Sequence, residues 1–332
     1  MRPTDLAARV RQAALDALPS SSGADLADFY SLIRDYPQRA GKALRGQIVV
    51  LSARAHAGDD SVDDVALAVA AALELFQAWA LIHDDIEDGS EQRRGSPALH
   101  RVTGVPIALN VGDALHAHMW RYLISLRLPD TVLDEFGAMV MRTTEGQHLD
   151  LGFVASGRFD VSEAEYLRMV ELKTAHYTVL APLRLGALCC GAMPNPAVTA
   201  AAIDLGVAFQ VRDDVLNLIG EPDAYGKEQF GDLYEGKRTL ITAHLLSCLT
   251  GAERERVLEV LAAPRDEKSA SDVSYVMGLA RRCGSLERAQ AVALMRGTRG
   301  LEALEAAFAP LPGRGAASEL FGLLSGLATR AL

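Results

Sequence analysis

A chain of 332 residues carries 33 Lys and Arg against 43 Asp and Glu, a formal net charge of −10. It has no basic run long enough to follow a phosphodiester backbone, which argues against nucleic acid as a partner. The hydrophobic share is 49%, mostly Ala, Leu and Val with only 6% aromatic residues, an alphabet for close-packed helices rather than sheets.

The N-terminal stretch MRPTDLAARVRQAALDAL lacks an uninterrupted apolar core and does not read as a secretion signal. Cys189, Cys190, Cys248 and Cys283 have neither zinc spacing nor the density of a disulfide framework, so a reducing cytoplasm is expected. The apolar run from Ala66 to Ile82 approaches the length of a membrane span. It contains Glu74 and Gln77 and runs into His83-Asp84-Asp85, so a buried core helix is the expectation.

Helical periodicity without Gly or Pro runs from 62 to 88 and stops at Gly89-Ser90. An acidic cluster, Asp84-Asp85-Ile86-Glu87-Asp88, therefore sits at a helix C-terminus, where the macrodipole disfavours anions. That arrangement invites a metal ion or a basic partner, and Arg93-Arg94-Gly95 follows at once. Asp84 and Asp88 are four apart, so their side chains share a face at about 5–6 Å between Cβ atoms. Mg²⁺ takes one or two carboxylates and completes its shell with water and phosphate oxygens.

Further helices are expected over 105–125, 130–151, 162–190, 196–220, 237–262, 270–286, 286–308 and 315–331, punctuated by Leu128-Pro129-Asp130 and Met193-Pro194-Asn195-Pro196. No strand pattern bounded by turns is evident. The expected fold is one all-α domain over 1–332, with no solenoid repeat. His83, His100, His116 and His118 have no ligand spacing and read as core or surface histidines.

Near the end of a second apolar helix stands Phe209-Gln210-Val211-Arg212-Asp213-Asp214-Val215-Leu216-Asn217. A single DDxxD is more often a solvated helix end, but its repetition favours a functional role. Two such clusters facing inward in a helical bundle would repel unless cations neutralised them. Metal ions gripping a diphosphate would answer that repulsion and help it depart as an anion.

In chain order, six segments resemble the motifs of the trans-isoprenyl diphosphate synthases, or polyprenyl synthetases. Gly41-Lys42-Ala43-Leu44-Arg45 is similar to that family's GGKxLR, and Asp84 to Asp88 with Arg93-Arg94-Gly95 to its first aspartate-rich motif. Gly146-Gln147 with Asp150-Leu151 is similar to GQxxDL, and Lys173-Thr174 to KT. Phe209-Gln210 with Asp213-Asp214 resembles the second aspartate-rich motif, followed by Lys227, Gly231-Asp232 and Glu235-Gly236-Lys237.

The resemblance implies an antiparallel helical bundle around a deep central cavity, a homodimer, and condensation of isopentenyl diphosphate with an allylic diphosphate. Carried over, the metal set is Asp84, Asp85, Asp88, Asp213 and Asp214, with three Mg²⁺ per site. Arg93, Lys173, Gln210, Lys227 and Lys237 would hold the allylic diphosphate, and Lys42, Arg45, Gln77 and Arg94 the isopentenyl diphosphate. Thr174 and Gln210 would stand near developing positive charge.

Ala40, Ala43 and Gly46 replace commoner family residues while Lys42 and Arg45 remain. Gln77 stands where many members have histidine, and Asn217 replaces the last Asp of the second cluster. For product length, the resemblance points to Trp79 and Ala80 as the pocket floor. Helical geometry puts Trp79 about 140° from Asp84 and makes Phe76 a competitor. Geranylgeranyl diphosphate (C20) is favoured, with C15 and C25 products open.

Two rival functions fit the sequence less well. A terpene cyclase would carry N-x-x-S/T-x-x-x-E, but Asn217 and Glu221 are three residues too close and no hydroxyl lies between them. A non-catalytic synthase subunit would usually have lost an aspartate cluster, and this chain keeps both.

Overall fold

A computed structural model describes residues 3–19, 23–39, 41–220 and 229–329. The described chain is helical almost throughout, as its composition suggests. In order come α1 (Pro3–Asp16), α2 (Ala27–Gln38), α3 (Leu44–Ala57), α4 (Asp63–Glu87), a two-residue hairpin of β1 (Gln92–Arg93) and β2 (Ser96–Pro97), α5 (Leu99–Thr103), α6 (Val105–Ser125), α7 (Asp130–Ala155) and α8 (Glu163–Val170). A π-helical segment, Glu171–Leu180, runs into α9 (Ala181–Cys189). Then follow α10 (Ala197–Ile219), α11 (Gly231–Glu235), α12 (Leu240–Cys248), α13 (Gly251–Ala262), α14 (Ala270–Arg282), α15 (Ser285–Phe308) and α16 (Arg314–Thr329).

Several expectations shift in detail. The helix expected over 162–190 contains the π-helical turns, and that over 237–262 breaks at Leu249-Thr250. The small hairpin gives no signal in the sequence because two residues per strand leave no alternation to detect. Its turn residues, Arg94 (φ 55) and Gly95 (φ 75), both have positive φ, the requirement of a tight type I′ hairpin.

The residues gather into two compact units. The first comprises Met1–Met139, Thr178–Pro196 and Ala306–Leu323; the second comprises Val140–Tyr177, Ala197–Glu305 and Leu324–Leu332. In the first, α4 packs against α1, α3 and α6, and α3 against α9. One helix, α4, is long and apolar enough to cross a membrane by length and composition, but 56% of its most apolar window is buried. That burial supports the core-helix reading. Its N-terminus is fixed by Asp63, which accepts from Arg54 Nε at 2.7 Å and Nη2 at 2.6 Å. The pairing holds the Asp63 carboxyl below its ordinary range.

The C-terminus of α4 is closed as the Gly89-Ser90 signal predicts. Gly89 adopts φ 63; its N–H donates to Ile86 O at 3.3 Å and Ser90 N–H to Asp85 O at 3.0 Å. This Schellman pattern satisfies carbonyls that a helix end otherwise leaves open. In the second unit, Tyr166, Val207, Val211, Val215, Leu240 and Leu245 belong to one buried apolar cluster that anchors α8, α10 and α12.

Candidate active site

Within the first unit, Gly41, Ala43, Glu74, Gln77 and Arg94 line one small pocket together with Arg11, Tyr36 and Arg39. Three guanidinium groups around one carboxylate make this a site for an anion. Ala43 is held at φ 44 and Arg94 at φ 55. Non-glycine residues with positive φ concentrate at functional sites, where surrounding contacts sustain the strain. Those contacts are visible. Arg94 Nη1 donates to Arg39 O at 3.0 Å, and Arg39 in turn braces the hairpin through Arg93 O at 3.1 Å and Pro97 O at 2.9 Å. Arg11 Nη1 donates to Gly41 O at 2.6 Å.

Glu74 accepts from Gly46 N–H at 3.1 Å. Burial pushes its carboxyl up, opposed by the nearby Arg45, Arg94 and Arg11. Burial likewise pulls the Arg94 guanidinium down, opposed by Glu74. Of the residues assigned from sequence to isopentenyl diphosphate, Gln77 and Arg94 line the pocket. Lys42 is exposed beside Gly41, and Arg45 is buried and donates to Thr178 Oγ1 at 2.9 Å.

The two carboxylates of Asp84-Asp85 part company. Asp84 keeps a quarter of its side chain exposed, whereas Asp85 is sealed. One Asp85 oxygen accepts from Tyr36 OH, and the other from Arg93 Nε at 2.9 Å and from Arg93 Nη2. Adjacent helical residues point about 100° apart, so when Asp84 faces outward Asp85 is turned inward. Asp85 is expected from sequence among the metal ligands, but its oxygens already serve buried donors. Arg93, expected on the allylic diphosphate, lies on Asp85 with Asp84 at 4.0 Å. The pairing with Asp85 raises the Arg93 guanidinium against the opposing effect of burial.

The second unit repeats the device. Asp213 is half-buried and Asp214 is buried. Tyr166 OH donates to Asp214 Oδ2 at 2.5 Å, and Gln210 Nε2 to Asp214 Oδ1 at 2.8 Å. Thr174 Oγ1 donates to Gln210 Oε1 at 3.0 Å, so Thr174, Gln210 and Asp214 form one chain. Burial and then the charge of Asp232 push the Asp214 carboxyl up. Asn217 Oδ1 accepts from Asp232 N–H at 3.0 Å, so this residue holds the start of α11.

Lys173 Nζ donates to Asp150 Oδ2 at 2.6 Å. Lys173 and Thr174 lie on the π-helical segment, a local form that recurs at functional sites. Lys237 Nζ lies 3.0 Å from Glu235 Oε2 and 4.0 Å from Asp232 Oδ1. Lys227 lies outside the described residues.

Aromatic residues occupy another face of α4. Phe76 is fully buried, with its ring 5.3 Å from that of Trp79 and 6.4 Å from that of Phe136. Trp79 stacks on His116 at 4.5 Å, and Trp120 Nε1 donates to His116 Nε2 at 3.0 Å. Ala80 is half-buried.

Among the described residues no three His, Cys, Asp or Glu side chains converge on a protein-only metal cage. Hard carboxylate oxygens in pairs fit Mg²⁺, which leaves most of its shell to water and phosphate. Sequence reasoning alone misses Tyr36, Tyr166, Arg11, Arg39 and Glu74. The available signal is that a buried tyrosine needs a hydrogen-bond partner.

A model of the polyprenyl synthetase family matches residues 27–279. A short chain isoprenyl diphosphate synthase of Methanothermobacter thermautotrophicus is 36% identical over 261 residues, covering 76% of this chain and 77% of its own. A geranylfarnesyl diphosphate synthase of Natronomonas pharaonis is 33% identical, covering 83% of each chain. The crystal structure of geranylgeranyl pyrophosphate synthase from Corynebacterium glutamicum complexed with isoprenyl diphosphate and magnesium has a TM-score of 0.87. It is 27% identical, with 99% of this chain and 98% of that chain covered.

Proposed function

The chain belongs to the polyprenyl synthetase family, and we propose that its two acidic pairs and its arginine-lined pocket serve that family's reaction at the residues described above. The protein is a chain-elongating trans-prenyltransferase, which condenses isopentenyl diphosphate with an allylic diphosphate. The allylic carbon–oxygen bond breaks and pyrophosphate leaves. The double bond of isopentenyl diphosphate then attacks the allylic carbocation, and a proton is lost to the released pyrophosphate.

The observation that carries the residue assignment is the division of each Asp-Asp pair into one accessible and one buried carboxylate. Asp84, Asp88 and Asp213 are the metal ligands in this reading, and Asp85 and Asp214 hold the helices behind them. Divalent metal binding belongs to the fold's relatives; three Mg²⁺ ions would supply Lewis-acid neutralisation of the departing diphosphate.

Lys173, held by Asp150, together with Arg93, Lys227 and Lys237, stabilises the allylic diphosphate. The pocket of Arg94 and Gln77, with Lys42 and Arg45 at its edge, binds isopentenyl diphosphate. Its arginine content supports this assignment. Thr174 and Gln210 place oxygen dipoles near the cation, where free water must be kept out, while their hydrogen bonds keep them ordered. The chain is read as one polyprenyl synthetase domain over 1–332, in a cytoplasmic homodimer. Four free cysteines support the reducing compartment.

Phe76, Trp79 and Ala80 form the floor that sets product length, with geranylgeranyl diphosphate as the product. The relatives named above include short-chain and geranylfarnesyl synthases, so C15 and C25 products are the alternatives that product analysis distinguishes.

The deciding experiment incubates the purified chain with Mg²⁺ and an allylic diphosphate, with and without isopentenyl diphosphate. An elongated diphosphate should form only when both are present. Asp84→Ala and Asp213→Ala should each lower turnover by about a hundredfold or more while preserving helical circular dichroism. Near-normal turnover in either variant would remove that residue from the metal set, and cyclised hydrocarbon without isopentenyl diphosphate would make the protein a cyclase.

A further inference from the structure

The second carboxylate of each acidic pair is held by a tyrosine from an earlier helix. Tyr36 on α2 reaches Asp85 on α4, and Tyr166 on α8 reaches Asp214 on α10. Both tyrosines are 2% exposed, and the carboxylates are 0% and 6% exposed. We propose that Tyr36 and Tyr166 are positioning residues that, through Asp85 and Asp214, aim the adjacent Asp84 and Asp213 at metal-bound diphosphate.

Helix geometry makes the coupling direct. Asp84 and Asp85 share one backbone segment and point about 100° apart, so fixing one side chain fixes the azimuth of the other. Near the end of α4 a helix would otherwise fray, because its last carbonyls lack partners within the helix. Here Asp85 is fixed twice. Its backbone carbonyl accepts from Ser90 N–H at 3.0 Å, and its carboxylate accepts from Tyr36 and Arg93.

Tyr36 is itself ordered from two sides. Its hydroxyl accepts from Leu99 N–H at 3.2 Å, which ties α5 to the same point. The Arg39 guanidinium lies 4.3 Å from its ring centroid, within range of a cation–π contact. The Asp84–Asp88 pair therefore stands on a helix end tied to α2, α5 and the hairpin.

Asp214 lies inside α10 rather than at its end, and its partners differ accordingly. A phenol and an amide bind it, and the amide of Gln210 continues to Thr174. The Tyr166 hydroxyl thus orders Asp214 and, through it, Gln210 and Thr174, as well as the azimuth of Asp213. Both units solve the same problem with the same chemical pair, although their remaining partners are different. A tyrosine present only to fill space needs no hydroxyl directed at the neighbour of a metal ligand.

This inference rests on the metal reading of Asp84 and Asp213, so the test separates the two. Mn²⁺ binding to the whole chain in the presence of inorganic pyrophosphate is measured by electron paramagnetic resonance, alongside direct binding of isopentenyl diphosphate. Wild type should bind Mn²⁺ and Asp84→Ala should lose most of that binding; failure here overturns the metal reading itself. Given that result, Tyr36→Phe and Tyr166→Phe should each weaken Mn²⁺ binding roughly tenfold or more, the scale of one lost hydrogen bond to a charged group. Affinity for isopentenyl diphosphate is the control for Tyr166→Phe, whose tyrosine is not among the residues lining the arginine pocket, and there it should stay within about twofold.

A double-mutant cycle identifies the route. If Tyr36 acts through Asp85, Tyr36→Phe combined with Asp85→Asn should bind Mn²⁺ no worse than Asp85→Asn alone. Additive losses, or wild-type Mn²⁺ affinity in both tyrosine variants, would overturn the proposal while leaving the metal reading in place. An equal loss for both ligands in Tyr166→Phe would reduce the tyrosine to general packing and also overturn it. Thermal melting without metal confirms that each variant is folded. Should one tyrosine variant fail to fold, the same measurements on the other tyrosine and its carboxylate decide the outcome.

Discussion

Gly146 and Lys173 approach backbone to backbone, and a Cβ added at Gly146 would lie 2.1 Å from Lys173 N and 2.5 Å from its Cα. No side-chain adjustment relieves a clash with main chain, so Gly146→Ala must push α7 away from the π-helical segment. Overpacking of this kind costs about 1–3 kcal/mol. The shift also carries Asp150 away from Lys173 Nζ, 2.6 Å distant. Gly146→Ala should therefore lower both the melting temperature and turnover, with the loss in turnover exceeding the loss of folded protein at the assay temperature. Equal turnover per folded molecule would separate this contact from the function of Lys173.

That contact shows which parts of the molecule are legible in the sequence. Gly146 is recognisable as part of a motif, but its reason, a backbone approaching another backbone, belongs to tertiary structure. Asp84 and Asp88 are legible because a spacing of four places them on one face whatever surrounds the helix. Asp85 and Asp214 group with the ligands in sequence because adjacency does not say which face is buried. Their tyrosines lie 49 and 48 positions away, beyond any local pattern. The hairpin that presents Arg94 is likewise too short to signal, although Arg94-Gly95 supplies its turn. The long helices are readable from periodicity, whereas the π-helical turns inside 162–190 arise without a change in hydrophobic pattern.

Arg94 offers a clean test of the arginine-lined pocket. Arg45 is less suitable because it is buried against Thr178, and its loss would disturb packing. With φ at 55, position 94 favours glycine, so Arg94→Gly removes the guanidinium while relaxing the turn. A charged hydrogen bond contributes about 1.5–3 kcal/mol, so KM for isopentenyl diphosphate should rise roughly tenfold to a hundredfold. KM for the allylic substrate should change much less, and stability should be unchanged or higher. Equal effects on the two substrates would show that the pocket is wrongly assigned.

Lys268 provides a pH-dependent handle on the segment that carries Lys237. Its ammonium donates to Tyr234 O at 2.7 Å, Leu233 O at 3.0 Å and Leu261 O at 3.2 Å, bridging the ends of α11 and α13. Burial, with the nearby Arg238 and Arg265, lowers its pKa to about 8 from an ordinary 10.5. Between those values the unfolded chain binds more protons than the folded one, so this group's contribution to stability rises with pH. Below pH 8 both states are protonated and the contribution is constant. The melting temperature of wild type relative to Lys268→Met should therefore move in favour of wild type as pH rises from 8 to 10. A constant difference over that window would mean that the folded-state pKa is not depressed.

Product length tests the aromatic face of α4. Phe76 is sealed, with Trp79 and Phe136 against its ring, whereas Trp79 is only half-buried and stacks on His116. The hydrogen bond from Trp120 Nε1 to His116 Nε2 requires that nitrogen to be unprotonated, and burial lowers the His116 pKa in keeping with this. The indole of Trp79 thus rests on a fixed neutral ring and forms a firm wall. Trp79→Ala should lengthen the product by at least one five-carbon unit, because the space it vacates borders partly open surface. Phe76→Ala instead creates a cavity among buried aromatics and should cost about 3–5 kcal/mol of stability, with a smaller effect on length. Product chromatography after exhaustive incubation with isopentenyl diphosphate reads both outcomes. A longer product from Phe76→Ala alone would move the floor one turn deeper along α4, and unchanged length in both variants would assign it to another helix.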